Sequence, residues 1–507
     1  MTIRNKELMI SLDPYEARAA VVEDMQLVEI YMERMDNPPI VGNLYLGRVK
    51  DVLPGMEAAF VDIGVERNAF LYIKEVIVPE EDLDSMPRKI QHMLKPGQEI
   101  LVQVSKEPMG NKGARLTTQV ALPGRYMVLL PYGDIVGISR RLDPSERMRL
   151  KDLCTRIKPK DMGMIVRTAA QDAGLDELSR DLKYLKRLWS TLSRRIKRAK
   201  APQLIHSEAE LSLMVLRDVL TMDFKRIWVD DSRVYKKILA FLKGTSPELM
   251  GRVKLYQDKL PLFDKYGINE EVKKALKRKV WLRSGGFITI DSTEALTAID
   301  VNTGKFVGKT SLEETIFQTN LEAAEEAVRQ LRLRDIGGII VIDFIDMENP
   351  HNRDEVFKSL NKALETDRIK SRVIEISRLG LVEMTRKNVS DGLLEYLSEP
   401  CSCCGGTGKV ISDEAQSIDI SRKIRKLSVA SKEEALLFEV NPKVATFLEG
   451  KKGTSLARLQ VLTGKKLFLF SNEELSVGTV ELRGEGTRRD ISKLFRTIVK
   501  ENKAQRS

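Results

Sequence analysis

Residues 284–306 read SGGFITIDSTEALTAIDVNTGKF, and residues 337–347 read GGIIVIDFIDM. Each holds a short apolar run that ends on a carboxylate: Ala298-Ile299 before Asp300, and Ile339 to Ile342 before Asp343. Between them, LEAAEEAVRQLRL (321–333) is rich in helix formers, with apolar residues at 321, 324, 328, 331 and 333. This order predicts strand, helix, strand, the unit that lays two parallel strands side by side. The carboxyl ends of both strands open on one crevice, so Asp300 and Asp343 are expected to converge there. Paired hard oxygen ligands at the mouth of a sheet suit Mg²⁺, which binds through one or two carboxylates and keeps several waters. Either aspartate alone reads as the polar end of a strand. Together, with Asn302 and the nearby glycines, they read as a metal site. Asp346 is expected to face away from Asp343, because a spacing of three on a strand reverses the face.

GKFVGKT (304–310) looks like a phosphate loop but has three residues, not four, between its glycines. The strand before it ends on Asp300 and Asn302, a poor setting for a triphosphate, which argues against an NTPase.

A chain of 507 residues is expected to hold several domains, and 42% hydrophobic residues suffice for their cores. Lys and Arg (84) exceed Asp and Glu (73), and the formal charge of +11 fits a protein that binds polyanions. No run of 18 apolar residues predicts a membrane span. The N-terminus lacks the apolar core of a signal peptide. Four cysteines, three of them bunched at 401–404, do not make a disulfide framework, so a reduced, cytoplasmic setting is expected. The three histidines, His92, His206 and His351, form no two-histidine acid/base pattern, which favours metal chemistry.

Residues 1–37 alternate as strands but are too short to stand alone, so they are expected to join a later segment. From Gly42, GNLYLGRVKDVLPGMEAAFVDIGVERNAFLYIKEV has short β-rich runs and Gly turns that predict a small barrel. Phe60 and Phe70 could stack unpaired bases on a barrel face, with Lys112 answering phosphate. A Phe in a strand more often belongs to the core.

This barrel pattern, together with GRYMVLLPYGDIVGISRRL (124–142), GMIVRTAA (163–170), TAIDVNTGKFVGK, GGIIVIDFIDM, ISRLGLVEMTRK (376–387) and PCSCCGGTG (400–408), resembles the ribonuclease E/G family. The blocks stand in the family's order from about residue 40 to 411. The length is similar to that of its shorter members.

The resemblance implies a multidomain α+β architecture. An S1-type OB β-barrel (38–120) is inserted in an RNase H-like subdomain (1–37 and 212–275). A 5′-sensor region (121–211), a DNase I-like α/β catalytic subdomain (276–397), a zinc-link (398–411) and a small C-terminal domain (412–507) follow. It implies an endoribonuclease that cuts single-stranded, AU-rich RNA to 5′-phosphate and 3′-hydroxyl ends. It also implies stimulation by a substrate 5′-monophosphate and roles in rRNA processing and mRNA decay. Asp300, Asn302 and Asp343 would be catalytic, the two aspartates holding Mg²⁺. Phe60, Phe70 and Lys112 would bind RNA. Gly124, Val128, Arg167 and Thr168 would form a 5′-phosphate pocket. Lys370 stands where an Arg can complete that pocket elsewhere in the family, and it lacks the bidentate fork.

The helical run SRDLKYLKRLWSTLSRRIKRAK (179–200) puts one apolar stripe at 182, 185, 189, 192 and 196, with Lys and Arg on the remaining faces. DRIKSRVIEISRLGLVEMTRK (367–387) reads as a strand followed by the start of a helix. Cys401 and Cys404 can grip one Zn²⁺, and Cys401 with Cys403 is also conceivable. A closed site needs four ligands, and no second CxxC, CxxH or HxxH is present. The other pair would come from a second chain, giving a homodimer, with a tetramer as the alternative. Gly450 to Gly453 ahead of a predicted helix resembles the GXXG loop of KH domains, so the last domain is expected to be KH-like.

Overall fold

The computed structural model describes residues 5–36, 38–77, 89–108, 113–208, 210–305, 311–377, 381–388, 392–450 and 454–505. Lys112, the 306–310 part of the phosphate-loop look-alike, and residues 451–453 of the GXXG loop lie outside them. The chain forms two compact units, Met1–Leu397 and Ser398–Ser507. Both are mixed α+β. Among the described residues no helix is long and apolar enough to cross a membrane.

In the first unit, the strands Lys6–Leu12, Glu16–Glu23 and Gln26–Arg34 form a meander. Its first strand pairs in parallel with Phe224–Val229, which pairs with Val253–Leu255. Residues from the two ends of a long insertion therefore share one sheet and one core, which includes Leu8, Val21, Phe224 and Ile227.

The insertion begins with a closed five-stranded barrel. Leu44–Leu53, Ala58–Asp62, Ala69–Tyr72, Arg115–Thr117 and Glu99–Lys106 pair in that order, and the last pairs back with the first. Alternation explains its two faces. Ala59, Val61, Ala69 and Leu71 are buried inside, while Phe60 and Phe70 are only half-buried. Four short strands follow, Leu122–Pro123, Met127–Leu130, Val136–Ile138 and Gly163–Val166. Helix Leu175–Ile196 covers them with Leu178, Leu182, Leu185, Trp189 and Leu192.

The sheet that carries the carboxylates has six strands, in the order Lys279–Trp281, Phe287–Ser292, Leu296–Asn302, Gly338–Asp343, Leu381–Arg386, Ser371–Ile376. The predicted strand, helix, strand unit is present: helix Leu312–Leu333 joins two parallel neighbours. Ser311 caps that helix by accepting from the Glu314 N–H. One face of the sheet packs Ile288, Ile299, Ile340 and Ile342 on helices Leu312–Leu333 and Pro350–Leu364. The segment 381–386 is a strand, not the start of a helix. Val382, Met384 and Arg386 are buried while Glu383 and Thr385 are exposed, a period of two that a helix cannot use.

In the second unit, Ala435–Val440 is the central strand, parallel to Lys466–Ser471 and antiparallel to Val480–Gly486. Helices Asp413–Ala430, Pro442–Glu449, Thr454–Thr463 and Arg488–Gln505 complete it.

Candidate active site

Asp300 and Asp343 are register partners at the carboxyl-terminal ends of adjacent parallel strands. Both lie on the face of the sheet that no described helix covers, and both are exposed. Strand alternation puts Ile299, Val301 and Ile342 in the core and leaves Ala298, Asp300 and Asn302 on the open side. Asn302 Nδ2 donates to Asp300 Oδ2 at 2.6 Å, and Thr289 Oγ1, the cross-strand partner, donates to the same oxygen at 3.3 Å. Burial and the like charges of Asp300 and Asp346 push the Asp343 carboxyl above the ordinary value. The Asp346 charge adds to this field. The strand ends at Asp343, so the residues after it are free of the pleat. Among the described residues no group of three or more His, Cys, Asp or Glu side chains encloses a metal position. The feature is an open pair of like charges, which a hydrated divalent cation would relieve.

On the barrel, Phe60 and Phe70 are register partners with ring centroids 4.5 Å apart on the outer wall. The core reading of both fails here. Tyr72 continues the row, its ring 6.4 Å from that of Phe70 and stacked, and the Arg115 guanidinium lies over Tyr72 at 4.9 Å. Sequence reading missed Tyr72 and Arg115, although the alternation Phe70, Tyr72 was visible.

The expected phosphate pocket is held together by internal pairs. Arg167 Nη1 donates to the Gly124 carbonyl at 2.8 Å and meets Asp218 Oδ1 at 2.5 Å. Val128 sits on the neighbouring strand, paired with Ile165. Thr168 Oγ1 and Ser139 Oγ are 2.8 Å apart. Gly124 is glycine for a packing reason: a Cβ there would lie 2.6 Å from the Asp181 carboxylate, which accepts from the N–H groups of Arg125, Tyr126 and Met127. Lys370 is exposed, next to a more deeply placed cation. Arg368 bonds Glu29 Oε2 at 2.6 Å, the Asp218 carbonyl at 3.0 Å, and the Tyr31 hydroxyl. Arg141 donates to the Asp367 carbonyl at 3.3 Å and to that of Arg368, which ties it to the turn ahead of Lys370. Asp218 and Arg368 were not legible as members, since their partners come from distant segments.

Glu29 also accepts from Arg332 of helix Leu312–Leu333 at 2.9 Å, and Arg332 reaches Glu23 at 2.9 Å. Burial opposes the charged form of Glu29, but Arg368 and Arg332 outweigh it and hold its carboxyl at about 2.

In the second unit, Cys401 and Cys403 are exposed and Cys404 is half-buried. N–H groups of Cys404 and Cys403 point at the Cys401 sulfur and lower its thiol pKa. The Gly408 N–H donates to Cys404 Sγ at 3.3 Å. Gly405, Gly406 and Gly408 all have positive φ, which lets the backbone turn its amides toward sulfur.

A sequence model of the Ribonuclease E/G family matches residues 121–389, and one described as RNase E/G, Thioredoxin-like domain, matches residues 400–486. The chain belongs to the ribonuclease E/G family. It is 42% identical to Ribonuclease G of Escherichia coli (strain K12) over 483 residues, covering 93% of this chain and 99% of that one. Ribonuclease G of Haemophilus influenzae is 39% identical over 480 residues, 92% of this chain and 98% of the relative. Ribonuclease E of the same organism is 38% identical over 465 residues, 91% of this chain but 50% of the relative. Within this set the likeness to ribonuclease G is the fuller one. The last domain matches under a thioredoxin-like description rather than the KH-like one expected.

Proposed function

We propose that this chain is a divalent-metal-dependent endoribonuclease for unpaired RNA. The pairing of Asp300 with Asp343 across two parallel strand ends, on an open face, carries the reading. The two carboxylates would hold Mg²⁺. Once bound, the metal supplies an acidified water and offsets charge on the reacting phosphate. Asn302 and Thr289 keep the Asp300 carboxylate in one rotamer by donating to its Oδ2. Attack by water rather than by the ribose 2′-hydroxyl leaves 5′-phosphate and 3′-hydroxyl ends.

Phe60, Phe70 and Lys112 of an S1-type barrel hold the RNA single-stranded, which suits AU-rich, unpaired regions of rRNA precursors and mRNA. Gly124, Val128, Arg167, Thr168 and Lys370 receive a 5′-monophosphate, which stimulates cleavage. Cys401 and Cys404 bind Zn²⁺ jointly with the same pair of a second chain, in a cytoplasmic homodimer.

The test is cleavage of an unpaired oligoribonucleotide, 5′-phosphorylated or 5′-hydroxylated. Activity is expected to vanish in EDTA, return with Mg²⁺, and leave 3′-hydroxyl ends. Cleavage indifferent to EDTA, or products with cyclic phosphate ends, overturns the reading.

A further inference from the structure

The open face of the nuclease sheet carries a second row of side chains that the proposed reaction does not use. Register takes Trp281 on the edge strand to Phe287, and Phe287 to Asn302. It takes Lys279 to Thr289, and Thr289 to Asp300. Partners across a ladder point to the same side of the sheet. The aromatic row therefore runs beside the carboxylate row on the same surface.

The Trp281 and Phe287 ring centroids are 5.5 Å apart, with planes at 65°. Lys279 Nζ lies 3.3 Å from the Phe287 centroid and 4.2 Å from that of Trp281. Gly304, in a left-handed turn, packs against the Phe287 ring, where an added Cβ would fall 3.1 Å from it. The ring is thereby held in place. Trp281 is 58% exposed, whereas Trp189 lies in a core and Trp228 is half-buried, its indole N–H on Glu7.

An indole face left in water on an edge strand forfeits the gain that burial gives its kind. A protein partner covering it would also bury the Lys279 ammonium, which costs free energy unless a carboxylate comes with it. A nucleotide meets both needs, with a base for the ring and a phosphate for the ammonium.

We propose that Trp281, Phe287 and Lys279 form a nucleobase-stacking subsite for the RNA strand that crosses Asp300 and Asp343. The proposal rests on reading that pair as the cleavage site. Two strand spacings, about 10 Å, separate Trp281 from Asn302. A base stacked there belongs to a nucleotide close to the scissile bond. Every base has a π face, so the subsite positions the strand without reading its sequence.

The experiment uses unpaired oligoribonucleotides with a single abasic position moved stepwise past one cleavage site. In the wild type, one position near the bond should lose roughly five- to a hundredfold in kcat/KM. In Trp281→Ala that position should fall silent, the intact strand being cut at the level of the abasic one, and Trp281→Phe should restore part. Binding is read separately in EDTA: the oligonucleotide should quench wild-type tryptophan fluorescence and not that of Trp281→Phe. Equal quenching in both, or a uniform loss at every abasic position in Trp281→Ala, overturns the subsite. So does a change of oligomeric state on sizing Trp281→Ala, which would assign the face to a second copy. Wild-type quenching at Trp281 without metal-dependent cleavage would instead strike the nuclease reading alone.

Discussion

The carboxylate row of the nuclease sheet and the Arg167 cluster treat charge in opposite ways. Asp300 and Asp343 face each other across a ladder, and the donors on Asp300 are neutral groups. Arg167 is already met by Asp218, and Arg368 by Glu29. An exposed pair of like charges is strained until a cation arrives. A guanidinium with a carboxylate in place must exchange that partner for an incoming phosphate, and the exchange cancels much of the gain. The first arrangement suits an obligatory ligand, the second a modulating one.

The contrast breaks most sharply at the carboxylates. Asp343→Asn should lower kcat by at least about a hundredfold while leaving affinity for an unpaired oligonucleotide within about threefold, since affinity resides in phosphate and stacking contacts elsewhere. Retention of a tenth of wild-type activity would remove Asp343 from the metal site. Asp346→Asn, assayed in parallel, should be milder, because its charge acts on Asp343 from beyond the strand.

Next is Glu29→Gln, which leaves Arg332 and Arg368 short of a buried partner. A cost of about 3–5 kcal/mol is expected in urea unfolding near neutral pH. The sign with pH follows from the depressed carboxyl, at about 2 in the folded chain. The unfolded state takes up the proton first, so the wild-type advantage is full above the ordinary Glu value and shrinks as pH falls toward 2. An advantage that grows on acidification would contradict the network.

Phe60→Ala should weaken binding of an unpaired decamer by about 1–3 kcal/mol, measured by fluorescence anisotropy, with thermal stability little changed because the ring lies on the outer wall. Unchanged binding would return Phe60 to a packing role.

The smallest effect concerns Asp218→Asn, which removes the anion that competes for Arg167. Burial works against the charged form of Asp218, yet Arg217 and Arg167 hold its carboxyl below the ordinary value. The preference for 5′-monophosphate over 5′-hydroxyl substrate should rise by about two- to fivefold. Arg167→Gln should reduce it. Equal changes on both substrates would make the Arg167–Asp218 pair structural.

Much of the candidate site was legible because its signals are local. Apolar runs ending on Asp300 and Asp343, the helix formers between them, the Phe60 and Phe70 spacing and Cys401-x-x-Cys404 all fall within a few residues. Local pattern misleads at 381–386, where the composition suggests the start of a helix but buried Val382, Met384 and Arg386 obey period two. Trp281 was not legible in the sequence, since a tryptophan on a short strand has no local mark of exposure.

By itself the sequence determined the strand, helix, strand order, the positions of the candidate ligands and the presence of a small barrel, because periodicity reports which face each side chain takes. Only the tertiary structure decided which faces meet. Strand register brought Asp300 level with Asp343, and Trp281 level with Asn302. Asp218 reached Arg167, and Glu29 reached Arg332 and Arg368, from segments far away in the chain. Pairing energies between distant segments depend on a few ångströms of separation, and a linear pattern carries no record of that distance.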